Sequence, residues 1–201
     1  MVGAGVLRIE KRTLSAGAMQ RILRSLALPL LLCVVAHAAQ EQPRAEQMLA
    51  TAESEAVAQH KVIFLVFGAS WCAPCREMGA FLDDPEIRPI LEKYFVLVSF
   101  HVFEERGKHP DLNNPGAAKL VADFGGESGG VPFLVFLDAQ GQLLINSNRP
   151  VKRKPNGENI GYPALPVEID WFMTMLQKTL PSLAKADART IETWLRRVSP
   201  R

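Results

Sequence analysis

The chain has 201 residues, with 23 Lys and Arg against 21 Asp and Glu for a formal charge of +2. The first 38 residues carry five of the bases and one of the acids, so the remainder holds 18 against 20, or about −2. That balance offers no argument for nucleic acid or an anionic membrane as a partner.

The N-terminus reads as a targeting segment. Arg21 and Arg24 precede an apolar stretch, residues 26–36, and Ala36-His37-Ala38 supplies a small-x-small cleavage signal. Residues 1–39 are therefore assigned to an extension plus a secretory signal peptide, with Met1 and Met19 as alternative starts. Eleven apolar residues fall short of the roughly 20 that span a bilayer, which leaves an uncleaved anchor as the lesser alternative. Cleavage would discard Cys33 and leave Cys72 and Cys75 as the only thiols. Two cysteines three residues apart close almost no loop, so their value is chemical rather than structural.

About 160 residues then remain, enough for one domain with its own core. Helical spacing of Met48, Leu49 and Val57 predicts a helix over 46–59. The apolar run 62–67, rich in Val, Ile and Phe, is too short for a helix and fits a buried strand. Gly68-Ala69-Ser70 links it to Trp71-Cys72-Ala73-Pro74-Cys75, and Pro74 suits the first turn of a helix. The two thiols thus stand where a buried strand meets a helix N-terminus. Asp83-Asp84-Pro85-Glu86 interrupts this helix and restarts it to about Tyr94. A second buried strand is expected over 95–103, a charged surface loop over 104–115, and a short helix over 116–124. A glycine-rich joint, 125–130, leads to Val131-Pro132; it lacks the following Lys and helix of a phosphate loop. Strands over 133–137 and 142–146 flank a hairpin turn at 138–141. Residues 147–166 are expected as a long polar loop carrying Arg149, Lys152, Arg153 and Lys154, a solvated cluster or a docking patch for an acidic partner. A helix over 167–180 and a weaker one over 188–198 complete the chain. Parallel strands joined through helices and followed by an antiparallel hairpin predict an α/β fold, a mixed central sheet covered by helices on both faces.

A Trp-Cys-x-Pro-Cys after an apolar strand, with Gly130-Val131-Pro132 later, resembles the thioredoxin superfamily. The likeness covers about 61–180 and is nearest to exported thioredoxin-like domains whose motif helix continues through Phe81, Asp84-Pro85 and Ile87 into a strand opening Phe95-Val96. The domain is set at 40–182, with 183–201 as a C-terminal helical tail. The resemblance implies a protein disulfide oxidoreductase. Cys72 would be the nucleophile, its thiol made acidic at the helix N-terminus, and Cys75 the buried resolving thiol. Val131-Pro132 would be a cis peptide facing the pair. Val131, Pro132, Trp71 and Pro74 would meet the client. One departure stands out: many thioredoxins carry a buried acid six residues before the first Cys, and here that position is Val66. Either Glu77, another solvent-facing acid or water then accepts the resolving thiol's proton, or the transfer is slower.

Blander and rival readings accompany this one. An inert bridge, a zinc half-site and a copper site completed by a histidine are the alternatives for the Cys pair; zinc needs four ligands, and only His60, His101 and His109 are at hand in the mature chain. His101 reads as a satisfied histidine in or at the end of the sheet, and His109 as solvated. The expectation is an exported, monomeric thiol–disulfide oxidoreductase, periplasmic or secreted, that needs no cofactor and no metal. The Ala-Pro between the cysteines resembles reducing members, which implies client proteins with thiols or disulfides and a membrane electron-transfer partner. A copper-delivery or partner-binding protein with a redox-switchable pair is the second function, and a structural module the third.

Overall fold

The computed structural model describes residues 42–127 and 130–198. The segment expected as a signal peptide, with Met19 and Cys33, lies outside the described residues, as do Ser128 and Gly129. Among the described residues no helix is long and apolar enough to cross a membrane.

The elements run α1 (Ala45–Gln59), β1 (Val62–Gly68), α2 (Ala73–Asp83), α3 (Arg88–Tyr94), β2 (Phe95–His101), α4 (Ala117–Asp123), β3 (Phe133–Leu137), β4 (Leu143–Asn146), β5 (Asn148–Val151), β6 (Lys154–Asn159), α5 (Pro166–Thr179) and α6 (Lys185–Val198). The main sheet has the order β2-β1-β3-β4. β1 and β2 are parallel, from Val62 opposite Phe95 to Gly68 opposite His101. β3 runs antiparallel to both β1 and β4.

The apolar runs are continuous because the central strands are buried on both sides. Ile63, Leu65 and Phe67 of β1 pack with Val96 and Phe100 of β2 against Ala52 and Ala56 of α1 and Leu120 and Val121 of α4. The alternate residues Phe64 and Val66, with Phe95, pack against Met78, Phe81 and Leu82 of α2 and Phe172 and Leu176 of α5. Phe64 stacks on Phe136 with ring centroids 4.4 Å apart, and Phe81 meets Phe172 edge-on at 5.8 Å. α2 is therefore clamped on the sheet, and its first turn is fixed above the C-terminal end of β1.

The structure departs from the sequence reading in four places. β2 ends at His101, and Phe103 takes a left-handed conformation (φ 59°) that turns the chain toward the linker after β1, where Glu104 and the Phe103 carbonyl meet Ser70 and Trp71. The stretch expected as a charged surface loop contains two short 3₁₀ turns, Glu104–Gly107 and Pro110–Leu112, and buries Glu104 completely. The long polar loop contains the β5–β6 hairpin, with Asn148 opposite Asn159 and Arg149 opposite Glu158. Its side chains are polar or half-exposed, so no period-2 apolar pattern marks it. Its basic cluster is partly neutralised, since Lys154 and Arg149 both contact Glu158, at 2.7 and 3.4 Å. α6, expected to be the weaker helix, buries Ile191, Trp194 and Leu195 in the α2/α5 core.

Candidate active site

Cys72 is the N-cap of α2 and Pro74 stands in that helix's first turn. Its extended backbone ends the linker from β1, and its sulfur accepts a hydrogen bond from the Cys75 backbone N–H at 3.1 Å. That N–H is one of the donors a helix leaves unpaired at its start. The two cysteines are joined as a disulfide with Cα atoms 5.2 Å apart. On the other side, Cys72 Sγ lies 3.4 Å from the Val131 carbonyl oxygen. In the disulfide this is a contact without a hydrogen; a thiol there could donate to it. The Val131–Pro132 peptide is cis.

The surrounding wall is built from two segments. The turn after β2 holds the linker ahead of Cys72. Glu104 is fully buried, and its carboxylate accepts from the Ser70 N–H at 2.7 Å and from the Ser70 hydroxyl at 2.6 Å. Its Oε1 also lies 2.8 Å from His101 Nδ1. Burial alone would raise the Glu104 pKa, but the bonds from Ser70 and His101 outweigh it and hold the carboxyl below its ordinary value. Trp71 Nε1 donates to the Phe103 carbonyl at 2.8 Å, and the Arg106 guanidinium sits 5.4 Å from the indole ring. The second segment is the Val131–Pro132 turn, which the β5–β6 hairpin braces. Asn159 donates to the Pro132 carbonyl at 3.0 Å, and the buried Ser147 donates to Asn159 Oδ1 at 2.7 Å while accepting from the Leu134 N–H at 2.9 Å.

Trp71, Cys72, Pro74, Cys75, Val131 and Pro132 thus converge at one end of the sheet. Pro74, Val131 and Pro132 line a shallow cleft of about 280 Å³ with Glu77, Tyr162 and Leu165. Burial raises the Tyr162 phenol pKa, and the Glu77 charge beside it adds to the shift. Cys75 was expected as the buried member of the pair; the structure reverses this. Cys72 is 3 % exposed, whereas Cys75 is partly exposed and lines a separate cleft with Val66, Gly68, Ser99 and His101. The small residues Gly68, Gly79 and Ser99 leave that side of α2 open. Sequence reading missed Glu104. Nothing in a run of charged loop residues distinguishes Glu104 from Glu105; the left-handed turn at Phe103 makes the difference. Tyr162 and Leu165 were also missed, inside a segment read as loop.

Residues 44–139 match a family model described as thioredoxin-like. Residues 44–139 thus carry a thioredoxin-superfamily domain with a bonded Cys-x-x-Cys pair. Among solved structures it is similar to a disulphide isomerase from Xylella fastidiosa Temecula1, at 16 % identity over 82 % of this chain and 98 % of that one, with a TM-score of 0.47. It is also similar to the oxidised C-terminal domain of DsbD from Neisseria meningitidis, at 21 % identity over 52 % and 83 %, with a TM-score of 0.36. A thioredoxin from Thermus thermophilus aligns at 19 % identity over 68 % and 85 %, with a TM-score of 0.38. None of the curated proteins matches this chain.

Proposed function

We propose that this protein is an exported thiol–disulfide oxidoreductase that reduces client disulfides through Cys72 and Cys75. The observation that carries the reading is the Cys75 N–H donating to Cys72 Sγ at the cap of α2. An N–H aimed at the sulfur, together with the helix dipole, favours thiolate over thiol at Cys72. In the reduced protein the Cys72 thiolate attacks a client disulfide, forming a mixed disulfide and releasing one client thiolate. Cys75 then attacks Cys72 Sγ, the bond to the client breaks, and two electrons have passed to the client. The Val131 carbonyl beside Cys72 offers a strand-like acceptor for the client's backbone, with Trp71, Pro74 and Pro132 as the apolar surround. Each turnover consumes the dithiol, so an exported reductase needs a membrane partner to return two electrons.

Replacing the resolving thiol tests the scheme. Cys75→Ser is expected to accumulate clients as mixed disulfides visible in non-reducing gels, while the unmodified chain reduces a model protein disulfide and Cys72→Ser does neither. No trapped client together with no disulfide reduction overturns the proposal. Stoichiometric Cu(I) binding that Cys72→Ser abolishes, with exchange absent, would support copper delivery instead.

A further inference from the structure

We propose that His101, oriented by Glu104, is the base that takes the proton from Cys75 when this thiol resolves a mixed disulfide. The inference rests on the exchange reading above and supplies the acceptor that Val66 cannot.

The sheet places the imidazole. Side chains on a strand alternate between faces, and paired residues on neighbouring strands share a face. Phe64 and Val66 face α2, and so do their neighbours Phe95 and Leu97 on β2, whereas Val96 and Phe100 face α1 and α4. Continuing the alternation puts Ser99 and His101 on the α2 face. His101 is the register partner of Gly68. A Cβ added to Gly68 would lie 3.4 Å from Cys75 Cβ and 3.5 Å from its Sγ, so Cys75 rests directly on this glycine. Gly68 therefore leaves open the space between the Cys75 sulfur and the adjacent strand position, which His101 occupies. The two residues line one cleft of about 220 Å³. That is wide enough for a direct approach or for transfer through one water.

Glu104 sets the tautomer. Its ionised carboxylate 2.8 Å from His101 Nδ1 requires a proton on that nitrogen, which leaves the Nε2 lone pair free to accept one. The same carboxylate stabilises the imidazolium once formed, as an orienting acid does in a hydrolase triad. Glu104 acts through His101 and is a positioning residue. The charged and titratable groups facing the imidazole are Cys75 and Arg76 from α2 and Glu104 from the turn after β2; β1 contributes Val66 and Gly68, neither of which titrates. Arg76 lines the same cleft, with Nη1 3.4 Å from the Ser70 carbonyl, and its charge favours the Cys75 thiolate. Glu77 is the nearest acid in sequence, but it lines the opposite cleft with Tyr162. In the step itself the Cys75 S–H proton moves to His101 Nε2, Cys75 Sγ bonds to Cys72 Sγ, and the bond from Cys72 to the client breaks. The departing client thiolate or solvent then takes the proton from the imidazolium.

The test separates the two sulfur steps. The full chain carrying Cys33→Ser is reduced and mixed with dithiobis(nitrobenzoate), whose chromophoric thiol is released once when Cys72 attacks and again when Cys75 resolves. Cys75→Ser assigns the phases by losing the second. His101→Gln is expected to slow the second phase about 10²-fold relative to the first at neutral pH, the low end of a general base's usual contribution. Its second phase should climb with hydroxide through the neutral range, where the unsubstituted chain has a flatter profile. Glu104→Gln should give a smaller loss with a shifted profile, and added imidazole should restore the second phase of His101→Ala. A His101→Gln second phase that overlays the unsubstituted chain across pH overturns this role while the Cys75→Ser control keeps the exchange reading intact. An unsubstituted chain that never releases the second thiol overturns both.

Discussion

Glu104 shows how far a single residue's role depends on the turn that carries it. It is buried, accepts two bonds from Ser70 and contacts His101, so it ties the linker ahead of Cys72 to the end of β2. Its carboxyl pKa is lowered against the opposing effect of burial, because the partners favour the charged form more than desolvation disfavours it. A lowered carboxyl pKa contributes stability that is fully present above the unfolded value and is lost as pH falls through the folded one. Glu104→Gln should therefore cost about 1–3 kcal/mol at neutral pH, the range for losing charge-assisted bonds in a buried site. The difference from the unsubstituted chain should shrink on acidification below the ordinary carboxylate range. Urea denaturation of both proteins at several pH values measures this. By contrast, the position of Cys72 at a helix N-terminus was legible in sequence, because a strand, a short linker, a Cys and a first-turn Pro determine an N-cap locally. Glu104 was not legible, because its burial depends on Phe103 entering a left-handed conformation and on Ser70 lying thirty-four residues earlier.

At the scale of elements, β1 and β3 were readable because five-to-seven-residue apolar runs have few other fates. The β5–β6 hairpin was not, because its strands are polar and lie outside the main sheet. Its contribution is positional: Asn159 and Ser147 tie it to the Pro132 carbonyl and the Leu134 N–H. α6 was underrated for a different reason. Its apolar residues are few, but Trp194 lies 5.2 Å from the Phe81 ring, and Asp187 accepts bonds from Tyr94 and Lys93 at 2.7 and 2.9 Å. Phe81 belongs to the helix that begins with the Cys pair, so α6 supports the site from behind. Trp194→Ala should cost about 3–5 kcal/mol, as removal of a buried large aromatic does. Equilibrium urea unfolding with unchanged slope would show the loss; a change below about 1 kcal/mol would mean that α6 only covers the domain edge.

For the whole molecule, two apolar layers on opposite faces of one sheet leave the C-terminal end of β1 as the place where Cys72 and Cys75, the Val131–Pro132 turn and the Glu104 turn meet. The thioredoxin-like match stops at residue 139, while the hairpin that braces Pro132 and the helix that supports Phe81 lie beyond it. The local motif was therefore easier to read than the parts that hold it in place. The central claim is that Cys72 and Cys75 form a working redox couple rather than a staple. Equilibrating the protein in glutathione buffers of graded potential, then trapping and counting free thiols, tests this most directly. The account predicts complete, reversible two-electron conversion with a midpoint nearer the roughly −270 mV of thioredoxin than the roughly −120 mV of a strong oxidant. A pair that stays bonded across buffers down to about −300 mV, the range of structural disulfides, would contradict it.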